Sequence, residues 1–306
     1  MTENQWIEVR KQQVYVGPQS QQRVLSPGRA KADQKKWVTF KTKNGDTKTR
    51  AVYDKRWANR ATDAKFARVA RLLKQHEYVR LVLLGELNRT GRWTKTRLVA
   101  LALLIIHETG MRPSSEDGGE TAGEPTYGCL SLRANHITAT ATRKALDSVV
   151  GFAFVGKRGI DYRTSVREPA TVRGIRSLLE KKLPDRLLFA LEGEDRITPV
   201  DLIRRMRKFN LHYKTKDLRT SRAMICASTF LQEKASQWTS ELEATQKKGG
   251  RKKLSKQIKL EISTRVSDQL NNEPSTSKTK YINPEFWKEA FLVIGFDEAE
   301  AEEFKK

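Results

Sequence analysis

Ser275-Thr-Ser-Lys278-Thr-Lys280-Tyr281-Ile-Asn-Pro284, close to the end of the 306 residues, decides how the rest of the chain is read. One tyrosine follows a short polar, basic segment and precedes a helix that Pro284 would open. A phenol with an ordinary pKa of about 10 is a poor nucleophile until something stabilises its oxyanion. Lys278 and Lys280 cannot do that alone, so chemistry at Tyr281 needs cations brought from elsewhere in the chain. Taken by itself, the segment is a polar loop with a tyrosine in it.

Those cations are abundant. Lys and Arg number 59 against 36 Asp and Glu, a net charge of +23. The last 25 residues run the other way, with seven acids and three lysines, so the first 281 carry +27. So large an excess points to a polyanion, and nucleic acid is the expected partner. Hydrophobic residues make up 38%, with six Trp and eleven Phe, enough to build a core in one large domain and a small one. Cys129 and Cys226 are the only cysteines, which excludes a disulfide framework or a cysteine-based zinc site and fits a reducing compartment. No apolar stretch of signal-peptide length follows Met1. The longest apolar run, Leu98 to Ile106, is nine residues and cannot cross a bilayer. The expectation is a soluble intracellular protein with no membrane partner.

The pattern along the chain is α+β. Residues 1–57 read as a small N-terminal antiparallel β-domain. Trp37–Lys43 and Asp46–Tyr53 flank Asn44-Gly45, a pair that accepts the positive φ angles of a hairpin turn. Lys41, Lys43, Arg50 and Tyr53, with Arg56 and Arg60 just beyond, are candidate phosphate contacts, as are Lys278 and Lys280. From 58 to 306 the periodicity is mainly helical, through Phe66–Leu84 and Leu98–Ile105. Residues 113–125 read as a polar loop. Alternation in Tyr127–Ile137, Val150–Val155 and Ile160–Val166 predicts a small three-stranded antiparallel sheet, with Gly156-Lys157-Arg158-Gly159 turning between its last two strands. Thr198-Pro199-Val-Asp201 carries the N-cap, N1 and N3 residues of a helix start, and Leu218–Leu231 predicts another helix. Residues 232–270 form a basic linker: seven of the thirteen residues from Lys247 to Lys259 are basic, around a break at Gly249-Gly250. Ile258, Ile262, Val266 and Leu270 then mark a helix ending at Asn271. Residues 271–306 hold the tyrosine segment and a C-terminal helix.

Four segments together resemble the type IB DNA topoisomerases, members of the tyrosine recombinase superfamily. Thr109-Gly-Met-Arg112, continued by Glu120-Thr-Ala and Tyr127-Gly-Cys-Leu-Ser-Leu-Arg133-Ala-Asn-His136-Ile, is similar to the family's first arginine segment, closest to the cellular eukaryotic branch. Phe154-Val-Gly-Lys157 resembles the hairpin that carries its general-acid lysine. Lys214-Thr-Lys216-Asp-Leu-Arg219-Thr220 resembles the KDLRT segment of the poxvirus-type enzymes. Ser275–Pro284 resembles the active-site SxSKxxYxxP. Each match is weak alone; four in order on a chain so basic are specific.

The resemblance implies an enzyme that acts on double-stranded DNA as a monomer, with no cofactor and no metal. Tyr281 would be the nucleophile, Arg112 and Arg219 the transition-state cations, Lys157 the general acid and Lys216 a supporting cation. Two positions depart from the pattern. Arg112 is followed by Pro113-Ser-Ser rather than a small, glycine-containing run. The family's last phosphate ligand is a histidine ahead of the tyrosine, whereas His76, His107, His136 and His212 all lie before Arg219. Nine residues before Tyr281 stands Asn272, whose amide can still donate; the bland role for it is to cap the helix before it. His107 reads as a buried helix residue, and Tyr213 and Tyr127 are the next candidates should another tyrosine act. Two readings stay open beside this one. A tyrosine recombinase shares the chemistry but usually has His-x-x-Arg where this chain has Lys216-Asp-Leu-Arg219. A non-catalytic DNA-binding protein could keep the fold.

Overall fold

The computed structural model describes residues 5–9, 12–16, 35–41, 47–53, 55–114, 119–121, 124–139, 149–157, 159–180, 183–191, 196–245 and 247–305. The chain divides into two compact units, Met1–Ala67 and Arg68–Lys306. In the first, β1 (Gln5–Val9), β2 (Gln12–Val16), β3 (Lys35–Lys41) and β4 (Thr47–Tyr53) form one antiparallel sheet in sequence order. The register Lys41↔Thr47 closes the hairpin that Asn44-Gly45 predicts, although that turn and Lys43 lie outside the described residues, as do Gly17-Pro18 and Pro27-Gly28. Helix α1 (Lys55–Lys74) follows and crosses the unit boundary.

The second unit is helical around a small sheet. After α2 (His76–Leu87) comes α3 (Lys95–Thr109), whose apolar run Leu98–Ile106 is buried at every position. A helix apolar on all sides must lie inside, and α3 is the centre of this unit. Thr94 opens it by accepting the Arg97 N–H at 3.3 Å, and Gly110 closes it in the left-handed region (φ 70°).

The segment read as a polar loop contains a short hairpin, β5 (Gly119–Thr121) with β6 (Glu124–Thr126). No apolar alternation announces it. The stretch Tyr127–Ile137, expected as a strand, is instead mostly two 3-10 turns, Cys129–Ser131 and Ala134–His136; Tyr127 makes a single bridge to Gly156, and Ile137–Ala139 (β7) pairs in the sheet. The reason is visible in the backbone: Cys129 and Leu130 donate to the carbonyls of Arg112 and Pro113 at 2.8 and 3.0 Å, not to a neighbouring strand. Strand β8 (Val150–Gly156) lies between β7 and β9 (Ile160–Val166), as the other two alternating runs predict.

The remaining chain is helical: α4 (Pro169–Leu179), α5 (Pro199–Phe209), α6 (Thr215–Glu243), α7 (Lys248–Leu270), α8 (Pro274–Lys280), α9 (Pro284–Ile294) and α10 (Glu298–Phe304). Thr198 and Asp201 cap α5 reciprocally, as the sequence requires. The basic linker is the hairpin of α6 and α7, but it does not break at Gly249-Gly250, which sit in the first turn of α7. Glycine is needed there for close approach: a Cβ on Gly250 would lie 2.6 Å from Thr245 Cγ2. Two apolar clusters result, one around α2–α5 and the three-stranded sheet, the other among α6, α7, α9 and α10. Leu218 belongs to the first and Ala223 to the second, so Arg219 lies where α6 passes between them.

Candidate active site

Arg219 is 1% exposed, and its guanidinium is bonded on every side. Nη1 donates to the Gly110 carbonyl. Nη2 donates to the Leu270 carbonyl at 2.8 Å and to Asn272 Oδ1 at 3.2 Å. Nε faces the Tyr281 hydroxyl at 3.1 Å. Helix ends supply these acceptors: Gly110 follows α3 and Leu270 ends α7, and terminal carbonyls carry partial negative charge with no partner inside their own helix. Gly110 could not be replaced cheaply, since a Cβ would stand 2.5 Å from Leu270 Cδ2. Asp217, two residues before Arg219, fixes the start of α6 by accepting the Lys214 N–H at 2.9 Å and Arg68 Nε at 3.0 Å. Arg68 is thus an anchor of this helix rather than an open cation.

Arg112 joins from the loop after α3, and its Nη2 donates to the same Asn272 Oδ1 at 2.9 Å. Pro113-Ser-Ser does not dislodge it. The 3-10 turn at Cys129–Ser131 supports this loop from behind, and Gly128 must lack a side chain because a Cβ would lie 2.8 Å from the Arg112 carbonyl. Two arginines donating to one oxygen fix which way the Asn272 amide points. Its Nδ2 is left buried with no hydrogen-bond partner among the described residues. The helix-end role belongs to Asn271, which ends α7 in the left-handed region (φ 48°) and bonds both backbone groups of Arg163 on β9 at 3.2 Å.

Tyr281 does not sit in a loop: it is the C-cap of α8. Its N–H bonds the Ser277 carbonyl at 3.0 Å, Ile282 beyond it is buried, and the Asn283 N–H meets Met224 Sδ at 3.3 Å. The phenol is therefore anchored on both sides along the chain. Burial raises its pKa, but the Arg219 charge and hydrogen bond, then Arg112 and Lys216, outweigh this and hold it below the ordinary tyrosine value. The other tyrosine beside these arginines, Tyr162, is pushed up by its burial. Nothing singled it out in sequence. Tyr213, the alternative that the sequence raised, is held at Gln75 by a 2.9 Å bond and is also pushed up by burial.

The lysines stand apart from this interlocked group. Lys157 is exposed in the β8–β9 turn and lines a small recess with Arg112, Tyr127 and Tyr162. Lys216 is exposed in the first turn of α6, while Lys278 and Lys280 are exposed on α8. In the first unit, Arg56 and Arg60 are exposed on α1. The register pairs Lys41 with Thr47, Arg50 with Val38 and Tyr53 with Lys35. His107 is buried as expected and stacks on His76 at 3.9 Å. Among the described residues no group of His, Cys, Asp and Glu could hold a metal ion, and no helix is long and apolar enough to cross a membrane.

Residues 54–290 match the family model described as eukaryotic DNA topoisomerase I, catalytic core. The chain is 33% identical over 138 residues to the mitochondrial DNA topoisomerase I of Homo sapiens, covering 44% of this chain and 22% of that protein. It is 33% identical over 141 residues to DNA topoisomerase 1 of Xenopus laevis, covering 45% of this chain and 16% of that protein. The chain therefore spans about a fifth of the length of the curated relatives it matches. Since the family match runs over most of its length, and through Arg112, Lys157, Arg219 and Tyr281, this chain belongs to the eukaryotic DNA topoisomerase I catalytic-core family.

Proposed function

We propose that this chain is a type IB DNA topoisomerase that relaxes supercoiled duplex DNA by transient single-strand cleavage. The observation that carries this reading is the Tyr281 hydroxyl lying 3.1 Å from Arg219 Nε, on a guanidinium that shares Asn272 with Arg112. Tyr281 oxygen attacks the scissile phosphorus and loses its proton, aided by the cations that depress its pKa. The bond from phosphorus to the 5′-oxygen breaks as the phosphotyrosyl bond forms at the 3′-end. Lys157 gives that departing oxygen a proton. Arg112 and Arg219 meet the charge growing on the non-bridging oxygens with planar donors, and Asn272 Nδ2 supplies one more. Lys216 supports the same charge. One phosphodiester replaces another at nearly equal energy, so the cycle draws on neither ATP nor metal, and the free 5′-hydroxyl reverses it after strand rotation.

In the same reading residues 1–57 are a DNA-clamp domain, and residues 58–306 are the catalytic domain. Lys41, Lys43, Arg50, Tyr53, Arg56, Arg60, Lys278 and Lys280 contact the duplex, and the enzyme works as a monomer. The test is incubation with supercoiled plasmid in EDTA without ATP, quenched with denaturant. Relaxation together with a covalent adduct on the 3′-end of the nick, both lost in Tyr281→Phe while DNA affinity stays within a few-fold, is the expected result. An adduct that survives Tyr281→Phe would move the nucleophile to another tyrosine. DNA binding without any adduct in the wild type would leave a non-catalytic binding protein. Relaxation only by an assembly pairing two sites would indicate a recombinase.

A further inference from the structure

Helices α7, α8 and α10 border a cavity of about 510 Å³ whose lining shares only Lys278 with the groups assigned to DNA above. Lys252, Lys256 and Lys259 line it from successive turns of α7, and Lys278 lines it from α8. The one lining carboxylate, Glu303, is already engaged by Lys248 at 3.3 Å and Lys252 at 3.5 Å. Lys256 and Lys278 are exposed and make no ion pair among the described residues. Lys259 is only 7% exposed, with its ammonium donating to the Phe304 carbonyl. Burial, and then the nearby charge of Lys278, push its pKa down to about 8. Four ammonium groups around one recess repel one another unless an anion lies between them.

A second observation points the same way. Ser263, also in the lining, is 2% exposed, and its hydroxyl has no hydrogen-bond partner among the described residues. A buried hydroxyl without a partner destabilises the fold unless a ligand completes it. The rest of the lining is mixed: Ser255, Pro274 and Ser275 stand with Phe304, which is buried behind the recess, and Leu260, which is 61% exposed, an unusual setting for a leucine.

We propose that this cavity binds a small organic phosphate of nucleotide size. Lys256, Lys278 and Ser263 Oγ hold its phosphate, and its apolar body lies against Leu260 and Phe304. The volume falls within the range of about 300–1,000 Å³ usual for small-molecule sites. Leu260 and Phe304 offer a base or a ring an apolar surface that a bare sugar–phosphate backbone would leave unused. Ser275 and Lys278 both line the cavity, and Tyr281 is hydrogen-bonded to Ser277 on the same helix. An occupant therefore braces the segment that carries Tyr281 and alters the rate of strand cleavage, a consequence that rests on the function proposed above.

Calorimetric titration of the intact chain with ADP, at about 150 mM salt to screen diffuse attraction, tests the site independently of activity. A Kd below about 1 mM is expected, with adenosine or inorganic phosphate alone binding more weakly. Ser263→Ala should weaken ADP binding by about tenfold or more, the loss of a hydrogen bond to a charged group. It removes a buried hydroxyl without a partner, so the Tm of the free protein should not fall. Lys256→Ala, at an exposed position, should weaken binding several-fold. Absence of ADP binding, or binding that neither substitution weakens, would overturn the proposal. A short DNA duplex losing as much affinity as ADP in Ser263→Ala would overturn it too, by assigning the recess to a DNA phosphate. ADP that binds as expected yet leaves plasmid relaxation unchanged at saturation would sever the link to Tyr281.

Discussion

The two sides of the Tyr281 site are built on opposite plans. Arg219 is buried, with its donors committed to Gly110, Leu270, Asn272 and Tyr281, and it cannot move without undoing the ends of two helices. Lys157 stands exposed in a turn between two strands, two residues before Gly159, whose φ of 70° is in the left-handed region. A group that stabilises charge works best when already in place, because no reorganisation is then needed during the reaction. A group that hands over a proton has to reach its acceptor, release the proton and recover it from solvent. In the reaction proposed above, rigidity on one side and exposure on the other would divide the work between the two.

Breaking the buried side should give the largest effect, and a double one. Arg219→Ala should slow cleavage by more than about 10³, since more than one preorganised donor is lost at the developing charge. It should also lower Tm, because two buried carbonyls lose their donor at about 1–3 kcal/mol each. Lys157→Ala should slow cleavage by about 10²–10⁴ and leave Tm unchanged. Single-turnover cleavage and thermal melts of the same preparations make the comparison. A 5′-bridging phosphorothiolate sharpens it further, because a leaving sulfur needs little protonation. That substrate should restore much of the Lys157→Ala rate and little of the Arg219→Ala rate. Equal rescue of both variants would erase the division of labour.

Asn272 belongs to the buried side and should show a smaller effect. Asn272→Ala removes one donor and should cost about 10²–10³ in cleavage rate, with little loss of DNA affinity. A neutral amide does not titrate, so Asn272→His should introduce an inflection near pH 6.5 that the wild type lacks. A rate within about threefold of wild type in Asn272→Ala would leave the scissile phosphate to the arginines and Lys216.

How far the sequence reached can be judged from these same residues. Arg112, Arg219 and Tyr281 could be named from short segments, and the structure brings both arginines to Asn272 and Tyr281 to Arg219. The helices were legible wherever burial is one-sided or complete, as in α3, and wherever caps are chemical, as at Thr198 and Asp201. What stayed hidden depends on backbone groups far apart in the chain. The 3-10 turn at Cys129–Ser131 exists because its amides reach the Arg112 loop, and alternating apolar residues cannot reveal that. The carbonyls of Gly110 and Leu270 hold Arg219, yet a carbonyl has no letter in the sequence. The one trace was Gly110, a glycine just past a helix end. Gly249-Gly250 misled for a related reason: the pair permits a tight approach to Thr245 instead of ending a helix.

The smallest expected effect is a shift in a titration, and it asks whether the cations act on the phenol before charge grows on the scissile phosphate. The Tyr281 hydroxyl is partly buried, which raises its pKa; Arg219, Arg112 and Lys216 lower it by more, and the net direction is downward. For an acid whose charged form is the anion, a lower pKa means more phenolate at a given pH. The wild-type cleavage rate should therefore rise with pH and level off below the ordinary tyrosine value of about 10. Arg112→Ala removes one stabilising charge, so the inflection should move to higher pH, while Arg219 still holds it below the ordinary value. Lys216→Ala should move it the same way and less, since that lysine is the weaker influence and is exposed to solvent screening. The quantity to compare is the position of the inflection, because either variant also lowers the plateau through lost contacts to phosphate. An inflection that stays in place, or moves down, in Arg112→Ala would mean that the arginine acts on the phosphate alone and that the depression of the phenol comes from Arg219.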